Sequence, residues 1–469
     1  MRTGGWITCR VLAASLLWAC SGQATGPSPV LPDAGVPEDL ALGPQRMAFL
    51  TRSQYLNTLS ELFPETLTLP AADELPVDIK VDGFANVGAS ATVASPTTIE
   101  AYEGVARDVA ARLISVCPNH TDINQPVCDW WRARRLAFLE CENDQLNEDC
   151  IQTWISKFGR GAWRRPLSKA ETDQLLKLYQ KVATHFNNPW RGVEFVLVAF
   201  LQSPHMLYRI EYGEPDPENS SYWRYTAYDM ASRLSFTLWD RAPDDALLEA
   251  AASGALLTED GLSEQVERLL DDPRARDGLR RFISEYLALE QVWALTKDSA
   301  TYPGITSALR SAMQEELRRL FEDTVFDEDE NFLDLFDTQV TYLNKDLAAF
   351  YGVPGPQDGW TKSEFPSKAQ RGGWLSRAAI LFANAHSVRT SPTRRGLFIR
   401  QNILCQSIGS PPPNVPNTLD EDTDERPRTL RERLEDSHAK DSVCAGCHQR
   451  MDPLGFAFEN FDAIGKYRD

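Results

Sequence analysis

Positive charge is scarce in this chain. It has 48 Lys and Arg against 67 Asp and Glu in 469 residues, a formal net charge of -19, and no basic tract. No nucleic acid is therefore expected as a partner, nor is an anionic membrane surface. No apolar run is long enough to cross a bilayer. There is no GxSxG, no HExxH and no glycine loop of the phosphate-cradling kind. Carboxylates are so numerous that a pair of them signals no hydrolase without geometry. Histidine and methionine are rare, with 6 of each, and there are 9 cysteines. Short motifs built from these residues seldom arise by accident.

One such motif is present, Cys444-Ala445-Gly446-Cys447-His448. At this composition CxxCH should occur by chance in roughly two of a thousand such chains. Two thiols followed by an imidazole are the attachment pattern of a covalent c-type haem. Each sulfur forms a thioether to a vinyl group, and the histidine becomes the axial ligand to iron. A zinc half-site and a bare redox or disulfide CxxC are the alternatives that the spacing leaves open.

The amino terminus agrees with haem attachment, which takes place outside the cytoplasm. In residues 1–20, Arg2 and Arg10 precede the short apolar core Val11 to Ala19. This reads as an export signal. It ends in Leu17-Trp18-Ala19-Cys20, which resembles a bacterial lipobox with Cys20 as the lipidated first residue of the mature chain. An ordinary cleaved signal is the alternative. Residues 21–45, rich in Pro, Gly, Ser and Ala, read as a flexible tether. The expectation is an exported protein, lipid-anchored to the bacterial outer membrane or periplasmic face, with the lipid as its sole membrane attachment.

An exporting address also bears on the other cysteines. Cys117, Cys128, Cys141 and Cys150 cluster locally and are expected to form two disulfides, of unknown connectivity. Buried thiols are the alternative.

The folded part reads as mainly α, in several helical domains with a C-terminal cytochrome-c-like segment. Thr51 with Gln54, Ser168 with Glu171, and Thr226 with Asp229 have capping-box spacing. Ser95-Pro96 opens a helix expected over 96–114, where Ile99, Tyr102, Val105, Val109 and Leu113 share a face. Leu262, Val266, Leu269 and Leu270 form another stripe, stopped by Pro273, and Thr338 to Leu343 is the best strand candidate. Breaks in pattern suggest helical domains at 46–116, at 117–212 with the cysteines, at 222–352, and a C-terminal domain at 367–469. The last contains a proline run, Pro411 to Pro413, expected to be extended, and an acidic stretch, Asp420 to Glu425, expected to be a solvated loop. Trp130, Trp131 and Trp163 are more simply packed aromatics than sugar platforms.

The motifs as a set resemble a known family. Near the carboxyl end, Phe382-Ala383-Asn384-Ala385-His386 leads to Arg389-Thr390-Ser391-Pro392-Thr393-Arg394-Arg395-Gly396. CxxCH follows, then Met451-Asp452-Pro453-Leu454-Gly455-Phe456 and Glu459-Asn460-Phe461-Asp462-Ala463-Ile464-Gly465. Upstream stand Leu50-Thr51-Arg52-Ser53-Gln54-Tyr55, Gly83-Phe84-Ala85-Asn86, Phe158-Gly159-Arg160, Trp163-Arg164-Arg165-Pro166 and Ala231-Ser232-Arg233-Leu234-Ser235-Phe236. The chain resembles a bacterial multi-domain family of unknown function, built from domains of unknown function 1587, 1595, 1592 and 1588, with a cytochrome-c-like C-terminal region. The resemblance implies an exported haem-type protein and supplies no activity. Its relatives often carry a further small domain beyond the Gly465-to-Arg468 ending, so a short member and a fragment both remain open.

The sequence and the resemblance together name the candidate ligands. His448 is the proximal ligand. Met451 is the only methionine after it and, three residues on in a helix, would share its face rather than cross to the other side of a haem. The resemblance tends to place a histidine at His438, the first candidate for the distal position, with His386 second. His120, His185 and His205 have no supporting context. Arg389, Arg394 and Arg395 are candidates to bind haem propionates, with structural ion pairs as the alternative. Phe456, Phe458 and Phe461 suit either a porphyrin wall or a core. Three functions stay open: electron transfer to a redox partner protein in the cell envelope, a haem enzyme of peroxidase or oxidase type, and a non-catalytic surface-binding module with CxxCH as a structural site.

Overall fold

The computed structural model describes residues 46–91, 93–114, 129–142, 146–217, 219, 222–328, 330–367, 370–409, 428–440 and 444–468. The export signal, Cys20, the tether, Cys117, Cys128, His120, the proline run and the acidic stretch lie outside them. The fold is mainly α, as expected. Among the described residues the strands are short and pair in twos. Among the described residues, no helix is long and apolar enough to cross a membrane. The chain divides between Arg281 and Phe282 into two compact units.

In the first unit, β1 (Arg46–Phe49) pairs antiparallel with β2 (Tyr208–Glu211), Arg46 opposite Glu211 and Phe49 opposite Tyr208. Between them run α1 (Arg52–Leu62), α2 (Pro96–Ile114), α3 (Glu148–Trp163), α4 (Lys169–Phe186) and α5 (Pro189–Gln202). The capping boxes at Thr51 and Ser168 both form. Ser95 Oγ accepts from the Thr98 amide at 3.1 Å, so α2 begins where the Ser-Pro signal places it. One core takes Tyr55 and Leu59 from α1, Val105 and Val109 from α2, Ile155 and Phe158 from α3 and Val196 and Phe200 from α5. The segments 46–116 and 117–212 therefore share a single core.

Arg164 closes this unit from within. It ends α3 in the left-handed region, with φ 58°, and is 4% exposed. Its guanidinium donates to the carbonyls of His205 at 2.6 Å and Tyr208 at 2.7 Å, tying the end of α3 to β2. Burial lowers its pKa to about 9. Cys141 and Cys150 form a disulfide, with Cα atoms 5.8 Å apart. The capping box at Thr226 starts α6 (Ala227–Leu238). The Leu262 stripe lies on α7 (Glu259–Asp271), which ends before Pro273.

The second unit is built around α8 (Ser307–Glu322). Its Glu316 is fully buried and accepts from the Thr341 and Tyr351 hydroxyls, each at 2.6 Å. Thr341 lies on β3 (Val340–Leu343), the expected strand, paired antiparallel with β4 (Thr361–Glu364). Arg377, also fully buried, donates to Val340 O at 2.7 Å. Buried Arg371 donates to the carbonyls of Ser376 and Gly465. Lys297, 5% exposed, gives its ammonium protons to Phe382 O at 2.9 Å, His386 O at 2.9 Å and Ala385 O at 3.4 Å. These buried side chains find their partners in main-chain carbonyls, as buried polar groups must.

Two helices of this unit carry the CxxCH region. Ser391 caps α9 (Pro392–Phe398), with Pro392 in its first turn. The partner is α10 (Ala445–Phe456). They cross backbone to backbone, Gly396 against the Met451 carbonyl and Gly455 against the Pro392 carbonyl. Only glycine permits that approach.

Candidate functional site

Cys444 is the N-cap residue of α10. Its carbonyl accepts from the Cys447 amide at 3.2 Å and from the His448 amide at 3.1 Å, so CxxCH is the opening turn of a helix. Residues three and four apart in a helix share a face. Both thiols and the imidazole therefore stand together, all three half-buried. Neither cysteine is in a disulfide.

The imidazole is held from below. His448 Nδ1 lies 3.0 Å from Asp452 Oδ2, one turn further along α10. The other carboxylate oxygen, Oδ1, accepts from the Thr393 hydroxyl of α9 at 2.8 Å. Asp452 is 3% exposed. A carboxylate accepts, so Nδ1 carries the proton and Nε2 is left with its lone pair for a metal. Sequence reading missed both partners. The i,i+4 spacing from His448 to Asp452 was the available signal, while nothing near Thr393 in sequence pointed to it.

His438 does come to His448. Its ring stands edge-on to it, centroids 4.5 Å apart and planes at 60°. Gln449 Nε2 donates to Ala439 O at 3.1 Å, latching that stretch to α10. Two imidazoles on opposite sides of one metal, each about 2 Å from it, would hold their centroids roughly 6 Å apart. In this placement the two rings pack side by side, and His438 remains the histidine that stands next to His448. Met451 is on the same helix three residues on and is buried at 6%, as the helical spacing required.

The three arginines part company. Arg395 is 3% exposed and gives its donors to main-chain carbonyls: Phe458 at 2.6 Å, Phe461 at 3.0 Å and Asp462 at 2.7 Å. Glu459 lies 3.3 Å from it. Burial lowers its pKa to about 10. Arg395 is thus a clasp on the 458–462 segment, buried with its donors turned to main-chain carbonyls. Arg394 reaches only the Ala385 carbonyl, at 3.4 Å. Arg394 and Arg389 lie near His386, whose pKa burial lowers to about 4, with these two arginines and Lys297 adding to the effect. An imidazole among cations is a poor place for a metal cation, and no contact joins His386 to His448.

The rings downstream serve packing. Phe461 lies edge-on to Tyr467 at 5.6 Å and under the Arg371 guanidinium at 4.6 Å. Arg431 covers Phe456 at 5.0 Å. In the first unit Trp163 packs on Phe200 and His205, as the core reading of that tryptophan required. Among the described residues, no three His, Cys, Asp or Glu side chains converge as a bare metal ion would need. The donors at 444, 447 and 448 do fit a c-type haem, with two thiols and one Nε2 on a single helical turn and a buried carboxylate behind the ring.

Family models match four stretches in series. Residues 49–115 match Protein of unknown function (DUF1587) and residues 150–211 match Protein of unknown function (DUF1595). Residues 225–353 match Protein of unknown function (DUF1592). Residues 371–469 match PSCyt3, Protein of unknown function (DUF1588), a label that hints at a cytochrome-like carboxyl-terminal part. No curated protein and no solved structure matches the chain.

Proposed function

We propose that this chain, a member of the multi-domain family built from domains of unknown function 1587, 1595, 1592 and 1588, is an exported c-type haem protein that transfers electrons in the cell envelope. One observation carries the reading. Cys444, Cys447 and His448 form one helical turn, and Asp452 accepts a hydrogen bond from the protonated Nδ1, which leaves the Nε2 lone pair for a ligand bond. Cys444 and Cys447 would hold the group covalently, and His448 would ligate its iron. When bound, such a group supplies one-electron exchange at the metal. The signal-like residues 1–19 and the lipobox-like Cys20 support a location outside the cytoplasm on a lipid anchor, where a redox partner protein would meet it.

A second reading has its own support. Met451 shares α10 with His448, three residues on, and would stand on the same side of the group, which leaves the opposite position to His438 or to a substrate. An open position suits an oxidase- or peroxidase-type enzyme, which needs room for a substrate at the metal.

The test is to express the full chain with haem-maturation machinery and record oxidised and reduced spectra. The peptide bearing Cys444 and Cys447 should gain the mass of haem, and Cys444→Ser with Cys447→Ser should abolish that gain. A low-spin spectrum unmoved by carbon monoxide supports electron transfer. A species that binds carbon monoxide supports the enzyme. A colourless protein with no mass gain ends both readings.

A further inference from the structure

Burying a carboxylate costs several kcal/mol unless its oxygens are well partnered. An apolar residue at the same place in α10 would be cheaper, so the buried Asp452 calls for an explanation beyond helix stability. An exposed i,i+4 pair is worth only about 0.2–0.5 kcal/mol. Asp452 differs from such a pair in two ways. It is 3% exposed, and its second oxygen is taken by a residue of another helix, Thr393 of α9. The two helices are in turn fixed on each other by the Gly396 and Gly455 crossing.

The hydroxyl of Thr393 has one proton and gives it to Oδ1. Oδ2 is then free to accept from His448 Nδ1 alone. We propose that Thr393 and Asp452 are a positioning pair for His448, an inference that rests on reading His448 as the axial ligand of a c-type haem. The pair sets the tautomer of the ring and its rotation. It also places a buried negative charge behind the metal-facing nitrogen, where solvent screens it little. That charge favours the oxidised metal and holds its reduction potential down.

The test uses the full chain, matured with haem, as wild type, Asp452→Asn, Thr393→Val and Thr393→Ser. Covalent haem is measured first. If wild type carries none, the ligand reading fails and this inference with it. With haem present, Asp452→Asn should shift the midpoint potential upward and alter the absorption of the oxidised form. The asparagine carries no charge, and its amide, if turned to Nδ1, would drive the proton to Nε2. Thr393→Val should give a smaller upward shift, and Thr393→Ser should return to the wild-type value. A merely structural role would lower the unfolding midpoint without moving the potential. Should Asp452→Asn not fold, Thr393→Val against Thr393→Ser carries the comparison. Haem-loaded Asp452→Asn and Thr393→Val with wild-type potential and spectrum overturn the inference and leave the ligand reading standing.

Discussion

Gly396 lies against the carbonyl of Met451 so closely that a Cβ built on it would overlap that oxygen. Gly455 stands the same way to Pro392. A carbonyl in a helix cannot swing aside, so the crossing that positions CxxCH depends on two absent side chains.

Alanine at either position should therefore destabilise the protein. A helix-interior glycine normally gains up to about 1 kcal/mol on becoming alanine. Here overpacking opposes it, and a net loss of about 1–3 kcal/mol is expected. Gly446, in the same helix, has no neighbour within 4 Å of its Cβ position. Gly446→Ala should be neutral or slightly stabilising. Urea unfolding of the three variants measures this, and Gly396→Ala unfolding at the wild-type midpoint would contradict the close crossing.

Arg395→Lys keeps the charge but loses the planar fork that reaches Phe458, Phe461 and Asp462. A loss of about 1–3 kcal/mol is expected from carbonyls left unpaired. The visible spectrum of haem-loaded protein should stay as it was. A variant of normal stability with an altered spectrum would instead return Arg395 to the cofactor.

Acid should weaken the first unit through Glu171. Hydrogen bonding from Arg165, above all, and from Ser168 lowers the pKa of this carboxyl from 4.5 to about 2. Above 4.5 both folded and unfolded forms are ionised and the stabilisation is complete. As pH falls from 4.5 toward 2 the unfolded chain takes up the proton first, and the stabilisation is lost. Glu171→Gln should have a lower unfolding midpoint at pH 7 and a flatter decline across this window. Parallel curves for the two proteins would rule the contribution out.

The Cys141–Cys150 disulfide closes a short loop, with the cysteines nine positions apart. Chain entropy assigns such a loop about 2–3 kcal/mol. Cys141→Ser should lose that much in denaturant unfolding, and reduction of the wild type should lose a similar amount. Insensitivity to reductant would show that the bond constrains little.

Local chemistry was legible in the sequence and distant packing was not. The capping boxes at Thr51, Ser168 and Thr226 mark their helices because the partners lie three residues apart. The CxxCH turn was readable for the same reason. Residues 389, 394 and 395 looked like one basic cluster, yet neighbours on a helix point about 100° apart. Arg395 turns inward to the closing segment while Arg394 remains near His386. The single core shared by two sequence segments depends on which stripe meets which, and periodicity carries no information about that. His438 stands next to His448, a neighbourhood that no local spacing encodes.

Arg164, Lys297, Arg371 and Arg395 all donate to main-chain carbonyls. Every amino acid brings a carbonyl, whatever its side chain. Apart from Gly465, held at φ 87° with no room for a Cβ, the contact itself asks nothing of the grasped side chain, whereas the grasping positions have no substitute of equal reach and charge. Saturation mutagenesis scored by folding yield should show this asymmetry. Residues 164, 297, 371 and 395 should be nearly invariant among survivors, and substitutions at 205, 386 and 458 should leave the contacts of Arg164, Lys297 and Arg395 in place.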